Sequence, residues 1–165
     1  MPTHERREEA TVLAWSVRDA ARMIGVPYRT LKHWLTQGLV ALTFHPVPQR
    51  HERLRLTLED LTEAWCIADL RRAGVSMQAI RRVLVRLDAL QEREQRRLAD
   101  FRAVIVDAEG QVVGVHEDGL QERLRDGQIC IDLARLRHAL RETPGEPVPE
   151  SWARLLRMQE AGFCV

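Results

Sequence analysis

The sequence has little of what a secreted, membrane-bound or catalytic domain needs. Its three cysteines, Cys66, Cys130 and Cys164, are odd in number and far apart, so they form no disulfide framework. Free thiols in a reducing compartment are the expectation. No apolar run approaches the ~18 residues of a spanning helix. Met1 to Glu9 is polar and charged and lacks the apolar stretch of a signal peptide, so a cytoplasmic location is expected, with residues 1–13 as a disordered N-terminus. There is no Gly-rich phosphate loop, no metal-binding His pair and no nucleophile elbow. His116, His138, Cys130 and Cys164 are scattered rather than spaced as metal ligands. Neither an enzyme, nor a metal site, nor a cofactor is expected. Lysine is almost absent: Lys32 is the only one, and every other basic residue except the histidines is arginine.

What is present is an uneven distribution of charge. The net charge of +1 conceals an excess of +5 between Val12 and Leu90 and a deficit of −3 from Gln91 to Val165. A basic N-terminal half suits phosphate contacts, and an acidic C-terminal half does not.

The basic half contains the most informative stretch, residues 15–40. Ser16 fits an N-cap, and Val17, Ala20, Ala21 and Ile24 follow at helical spacing. Gly25 suits a left-handed helix end, and Pro27 suits the first position of a second helix. Leu31, Trp34 and Leu35 make the buried face of that helix, which runs from Pro27 to Gln37 and stops at Gly38. Two short helices about a glycine turn, the second basic and polar on its outer sides, are how a helix-turn-helix presents a reader to a major groove.

Arg29-Thr30-Leu31-Lys32-His33-Trp34 followed by Gly38-Leu39 resembles the recognition helix of MerR-type winged-helix proteins, usually Arg-Thr-Leu-Arg-Tyr-Tyr-Glu and then Gly-Leu. Residues 53–61 are similar to the end of the wing and the start of the third helix. Ala73-Gly74-Val75-Ser76-Met77-Gln78-Ala79-Ile80 is similar to the turn into the fourth. The resemblance covers about residues 14–90. It implies double-stranded DNA as partner, with Arg29 the foremost contact. By their place on the two helices Arg18, Tyr28, Thr30, Lys32 and His33 are expected to add contacts, and the short reach of one winged helix calls for a homodimer. His33 and Trp34 stand where the family has paired tyrosines, and Trp34 reads as core.

Ala41 to His45 and Arg53 to Leu56 read as the two strands of a wing hairpin. Gln49, Arg50, His51 and Glu52 lie at or near its tip, and Arg50, Arg53 and Arg55 can reach phosphates or the minor groove, with His51 a further candidate contact. Thr57 with Asp60 reads as a capping box opening a helix to about Arg72. Ser76 opens another, striped with Ile80, Val83, Leu84, Leu87 and Leu90. The polar run from Gln91 to Arg97 interrupts the heptads that a paired dimer helix needs, so residues 91–101 read as a helical connector.

The period then changes. Ala103 to Val106 and Gln111 to Val115 read as a hairpin about Asp107 and Gly110, and Gly127 to Leu133 reads as a third strand entering a helix to about Glu142. Residues 102–142 are therefore a small α+β unit. Residues 143–165 are a Pro-rich linker and a last helix. Trp152, Leu155, Leu156 and Phe163 mark one face of that helix, which either docks on its own chain or dimer mate or meets a partner. The fold class is mainly α, a winged helix-turn-helix followed by a connector and an α+β unit. The expected function is a sequence-specific transcriptional regulator acting as a dimer. The alternative, from a weaker similarity of layout to MerR-like antitoxins, is an autoregulating antitoxin that holds a toxin with its C-terminal half.

Overall fold

A computed structural model describes residues 11–43, 54–116 and 125–160. The chain is mainly α-helical, with two small antiparallel sheets. Strand β1 (Leu13–Ser16) runs straight into helix α1 (Val17–Ile24). The Ser16 hydroxyl accepts from the Asp19 N–H at 3.1 Å and satisfies one of the free amides at the helix start. Gly25 closes α1 at φ 77°, a left-handed conformation that costs a residue with a Cβ far more. Helix α2 (Tyr28–Thr36) follows, with Pro27 just outside it at the cap rather than in its first turn.

Strand β2 (Arg55–Thr57) leads into helix α3 (Leu58–Arg72). The expected capping box is present. The Thr57 N–H donates to the Asp60 carboxylate at 3.0 Å, and the Asp60 N–H donates back to the Thr57 hydroxyl. Helix α4 (Met77–Glu94) is capped by Ser76 and buries Ile80, Val83, Leu87 and Leu90.

The predicted wing hairpin needs correction. Among the described residues, β2 pairs antiparallel with β1, Trp15 opposite Leu56 and Ser16 opposite Arg55. Ala41 to Thr43 is not a strand. The reason is local: carboxylates of α3 take its backbone donors. Asp60 accepts from the Thr43 N–H at 3.1 Å, and Glu63 accepts from the Ala41 N–H. Residues 44–53, with the rest of that expected strand and the tip, lie outside the described residues.

The connector is also not helical throughout. Helix α4 stops at Glu94, and Gln95 takes φ 48°. A 3₁₀ turn at Leu98–Asp100 follows, fixed by the Leu98 N–H donating to the Gln91 side chain at 2.8 Å. The turn carries Leu98 and Phe101 back into the core.

The second sheet has the order β4-β3-β5: β3 (Ala103–Val106) in the centre, β4 (Val112–Val115) and β5 (Ile129–Asp132) on either side. Helix α5 (Leu133–Glu142) springs from β5, capped by Asp132, whose carboxylate also meets Arg102 at 2.5 Å. Arg137 of α5 donates to the Ala99 and Phe101 carbonyls at 3.1 and 2.6 Å, which ties the helix to the 3₁₀ turn. Strand alternation sends Val104, Val106 and Ile131 into the same core as Leu31, Leu61 and Leu87. Ala103, Ile105 and Val115 cluster on the opposite face of the sheet.

The Pro-rich linker is not free. It contains a two-residue strand, β6 (Glu146–Pro147), paired with β1 on the edge opposite β2. The last helix, α6, spans Glu150–Glu160.

Candidate nucleic-acid interface

Helix α2 is fixed from beneath. Leu31 is fully buried, and Trp34 and Leu35 nearly so, at the spacing that places them on one side of α2. The chain then folds back through Leu39, whose N–H donates to the Trp34 carbonyl at 2.9 Å. The opposite side is left to solvent. Tyr28, Arg29, Lys32 and His33 are exposed, and Thr30 is half-buried. Arg29, Lys32, His33 and Thr36 fall at i, i+3, i+4 and i+7, one continuous stripe. The Lys32 ammonium lies 5.9 Å from the centre of the Tyr28 ring, a contact that orients the lysine along the stripe without neutralising it.

Arg29 and Lys32 make no ion pair among the described residues, nor does Arg18 on the exposed side of α1. No acidic residue stands in the first turn of α2, and no side chain caps it. Its partial positive charge therefore adds to that of the arginine and lysine. An unpaired cationic stripe on a rigid helix suits a polyanion, and its hydrogen-bonding groups suit base edges.

One further arginine lies beside the turn of the helix pair, and the sequence reading missed it. Arg72, at the end of α3, pairs with Asp69 at 2.7 Å and donates to the Ile24 carbonyl, next to the glycine turn of the helix pair. Arg71 donates to the Val75 carbonyl at 3.1 Å. Both are exposed. The signal in the sequence was plain, a basic pair before Gly74, but only the packing of α3 on α1 places Arg72 near the turn.

Arg55 differs from the expectation for it. It is half-buried on β2 and meets Glu146 of β6 at 3.4 Å, rather than standing free beside the groove. Arg50, His51 and Arg53 lie outside the described residues. Trp152 is half-buried in a small cluster with Ala14, Val148, Ala153 and Val12, against its own chain. The side chains of Leu155 and Leu156, and the whole of Phe163, lie outside the description.

A carboxylate shelf under the surface holds the exit from α2. Asp60 accepts from the Thr43 N–H and hydroxyl, and burial raises its pKa despite those hydrogen bonds. Burial, helped by the charges of Asp88 and Asp60, pushes Glu63 up to about 7. No three His, Cys, Asp or Glu side chains among the described residues come together as a metal site. His116 sits instead on Glu94 at 2.7 Å, and Cys66 is buried in the core.

The model of the MerR HTH family of regulatory proteins matches residues 15–87, the span from β1 through most of α4. Residues 15–87 are a MerR-type helix-turn-helix domain. The matched span runs through α1, α2, β2, α3 and most of α4, and the family implies DNA binding for this half. The crystal structure of Rv2018 from Mycobacterium tuberculosis is similar at 21% identity over 91% of this chain and 87% of that one, with a TM-score of 0.40. No curated protein matches the chain. No helix among the described residues is long and apolar enough to cross a membrane.

Proposed function

We propose that this protein is a transcriptional regulator that binds promoter DNA sequence-specifically as a homodimer, with α2 in the major groove. The observation that carries the reading is the cationic stripe of α2: Arg29 and Lys32 exposed and without ion pairs, His33 beside them, inside a MerR-type domain. Arg29 and Lys32 take phosphates or guanine edges, and Tyr28, Thr30 and His33 add hydrogen bonds and packing. Arg18 contacts the backbone from α1, and Arg50, His51 and Arg53 do so from the wing. The dimer follows from reach. One such helix covers few base pairs, and two copies on a pseudo-palindrome supply the missing specificity. The reading needs no chemistry beyond binding, so we assign no catalytic residue.

The test is a shift assay with the chain's own upstream DNA. Wild-type protein binds in a salt-dependent manner, and Arg29→Ala binds more weakly by about 1–3 kcal/mol. Equal affinity of the two would remove α2 from the groove. Light scattering of the complex reads the stoichiometry, and one chain per duplex would overturn the dimer.

A further inference from the structure

The linker between α5 and α6 crosses the chain to lie on the DNA-binding half, and its contacts there are few and specific. The Trp15 indole N–H donates to the Thr143 carbonyl at 2.7 Å. Gly145 packs so close to the Trp15 ring that a Cβ there would meet it at 2.9 Å. Glu146 and Pro147 pair with Ala14 and Leu13, and the Val148 N–H donates to the Val12 carbonyl. Across β1, Ala14 stands opposite both Thr57 and Glu146, and Ser16 stands opposite Arg55. Alternation therefore puts Glu146, Ala14, Thr57, Ser16 and Arg55 on one face of the sheet. On that face the Glu146 carboxylate reaches diagonally over β1 to the Arg55 guanidinium.

We propose that residues 143–150 are a detachable strap that occupies Arg55 with Glu146, and that a DNA phosphate competes for the same guanidinium. Two observations make the strap removable. Its aliphatic contact, through Val148, joins a small cluster separate from the main core, so lifting it uncovers only the edge of that core at Trp15. The Glu146 side chain is 79% exposed, and an ion pair so open to water holds weakly. A DNA backbone presents a row of such anions and gains counterion release as well. Whatever draws the strap away frees one arginine and withdraws one carboxylate from this sheet face of the DNA-binding half.

This inference rests on the DNA-binding reading, and the experiment separates the two. Fluorescence anisotropy of full-length protein is measured with a labelled duplex of about 25 base pairs, between about 50 and 200 mM salt. Glu146→Gln is expected to bind about threefold to tenfold tighter at the low end, with the log–log salt slope steeper by about one. Glu150→Gln, on the same arm but paired with Arg157, is expected to match wild type. In an Arg55→Ala background, Glu146→Gln is expected to change nothing. Equal gains from Glu146→Gln and Glu150→Gln would reduce the effect to net charge and overturn the strap. So would a Glu146→Gln gain that survives loss of Arg55. If Arg29→Ala binds like wild type, the placement of α2 fails instead, and if no duplex binds, both readings fall.

Discussion

Helices α2 and α3 are neighbours in sequence and opposites in use. Of α2, only Leu31, Trp34 and Leu35 are buried. Of α3, nearly every side is buried, including the polar Asp60 and Thr62. A helix enclosed along most of its length has little surface left for a ligand, and between Asp60 and Leu70 its buried residues answer to packing. A helix buried on one stripe is rigid enough to present the other. The pair divides the labour of the DNA-binding half: α3 is the pillar and α2 the face.

Breaking the pillar gives the largest expected effect. Leu61→Ala empties a fully buried position and should cost about 2–5 kcal/mol in urea unfolding. A loss below about 1 kcal/mol would mean that the site collapses around the gap. Breaking the face comes next. Arg29→Ala should weaken DNA binding by about 1–3 kcal/mol while leaving the unfolding midpoint unchanged. Parallel losses of binding and stability would show that α2 is structural in the same sense as α3.

A third comparison uses pH. Glu63 of α3 has its pKa raised from 4.5 to about 7 in the fold. Between those values the folded chain keeps a proton that the unfolded chain has lost. Its contribution to stability therefore falls as pH rises from about 4.5 to about 7 and is level on either side. Glu63→Gln cannot ionise, and its amide oxygen can still accept from Ala41. Relative to wild type the variant should gain stability across that window and hold the gain above it. Parallel stability curves would place the Glu63 carboxylate in solvent. The smallest effect is expected on α4, where Val85 is 68% exposed. Val85→Ser should change stability by no more than about 0.5 kcal/mol. A clearly larger loss in this variant would show the outer side of α4 covered in solution.

The parts of this structure that were legible in the sequence are those set within a few residues. Ser16 caps α1, Gly25 turns left-handed, and Thr57 with Asp60 makes its box, each through a contact spanning four residues or fewer. The stripe of α2 was legible for the same reason, since helical period alone sorts Leu31 and Trp34 from Arg29 and Lys32. Pairings across the chain were not legible. Nothing in Leu13–Ser16 reveals that one strand edge will take Arg55–Thr57 and the other Glu146–Pro147. The fate of Arg55 followed from that pairing. The break after Glu94 was hidden too. Gln91 to Arg97 has good helix formers throughout, and the turn is imposed by Leu98 and Phe101 seeking the core.

The interior shared by α1 to α4 with Leu98, Phe101, Val104, Ile131 and Leu136 has a consequence for engineering. The DNA reader is not a portable cassette. Cut free after Glu94 and fused elsewhere, it would expose the apolar seat that the C-terminal sheet and α5 now fill. A new effector half would have to supply a matching surface before it could supply a new signal.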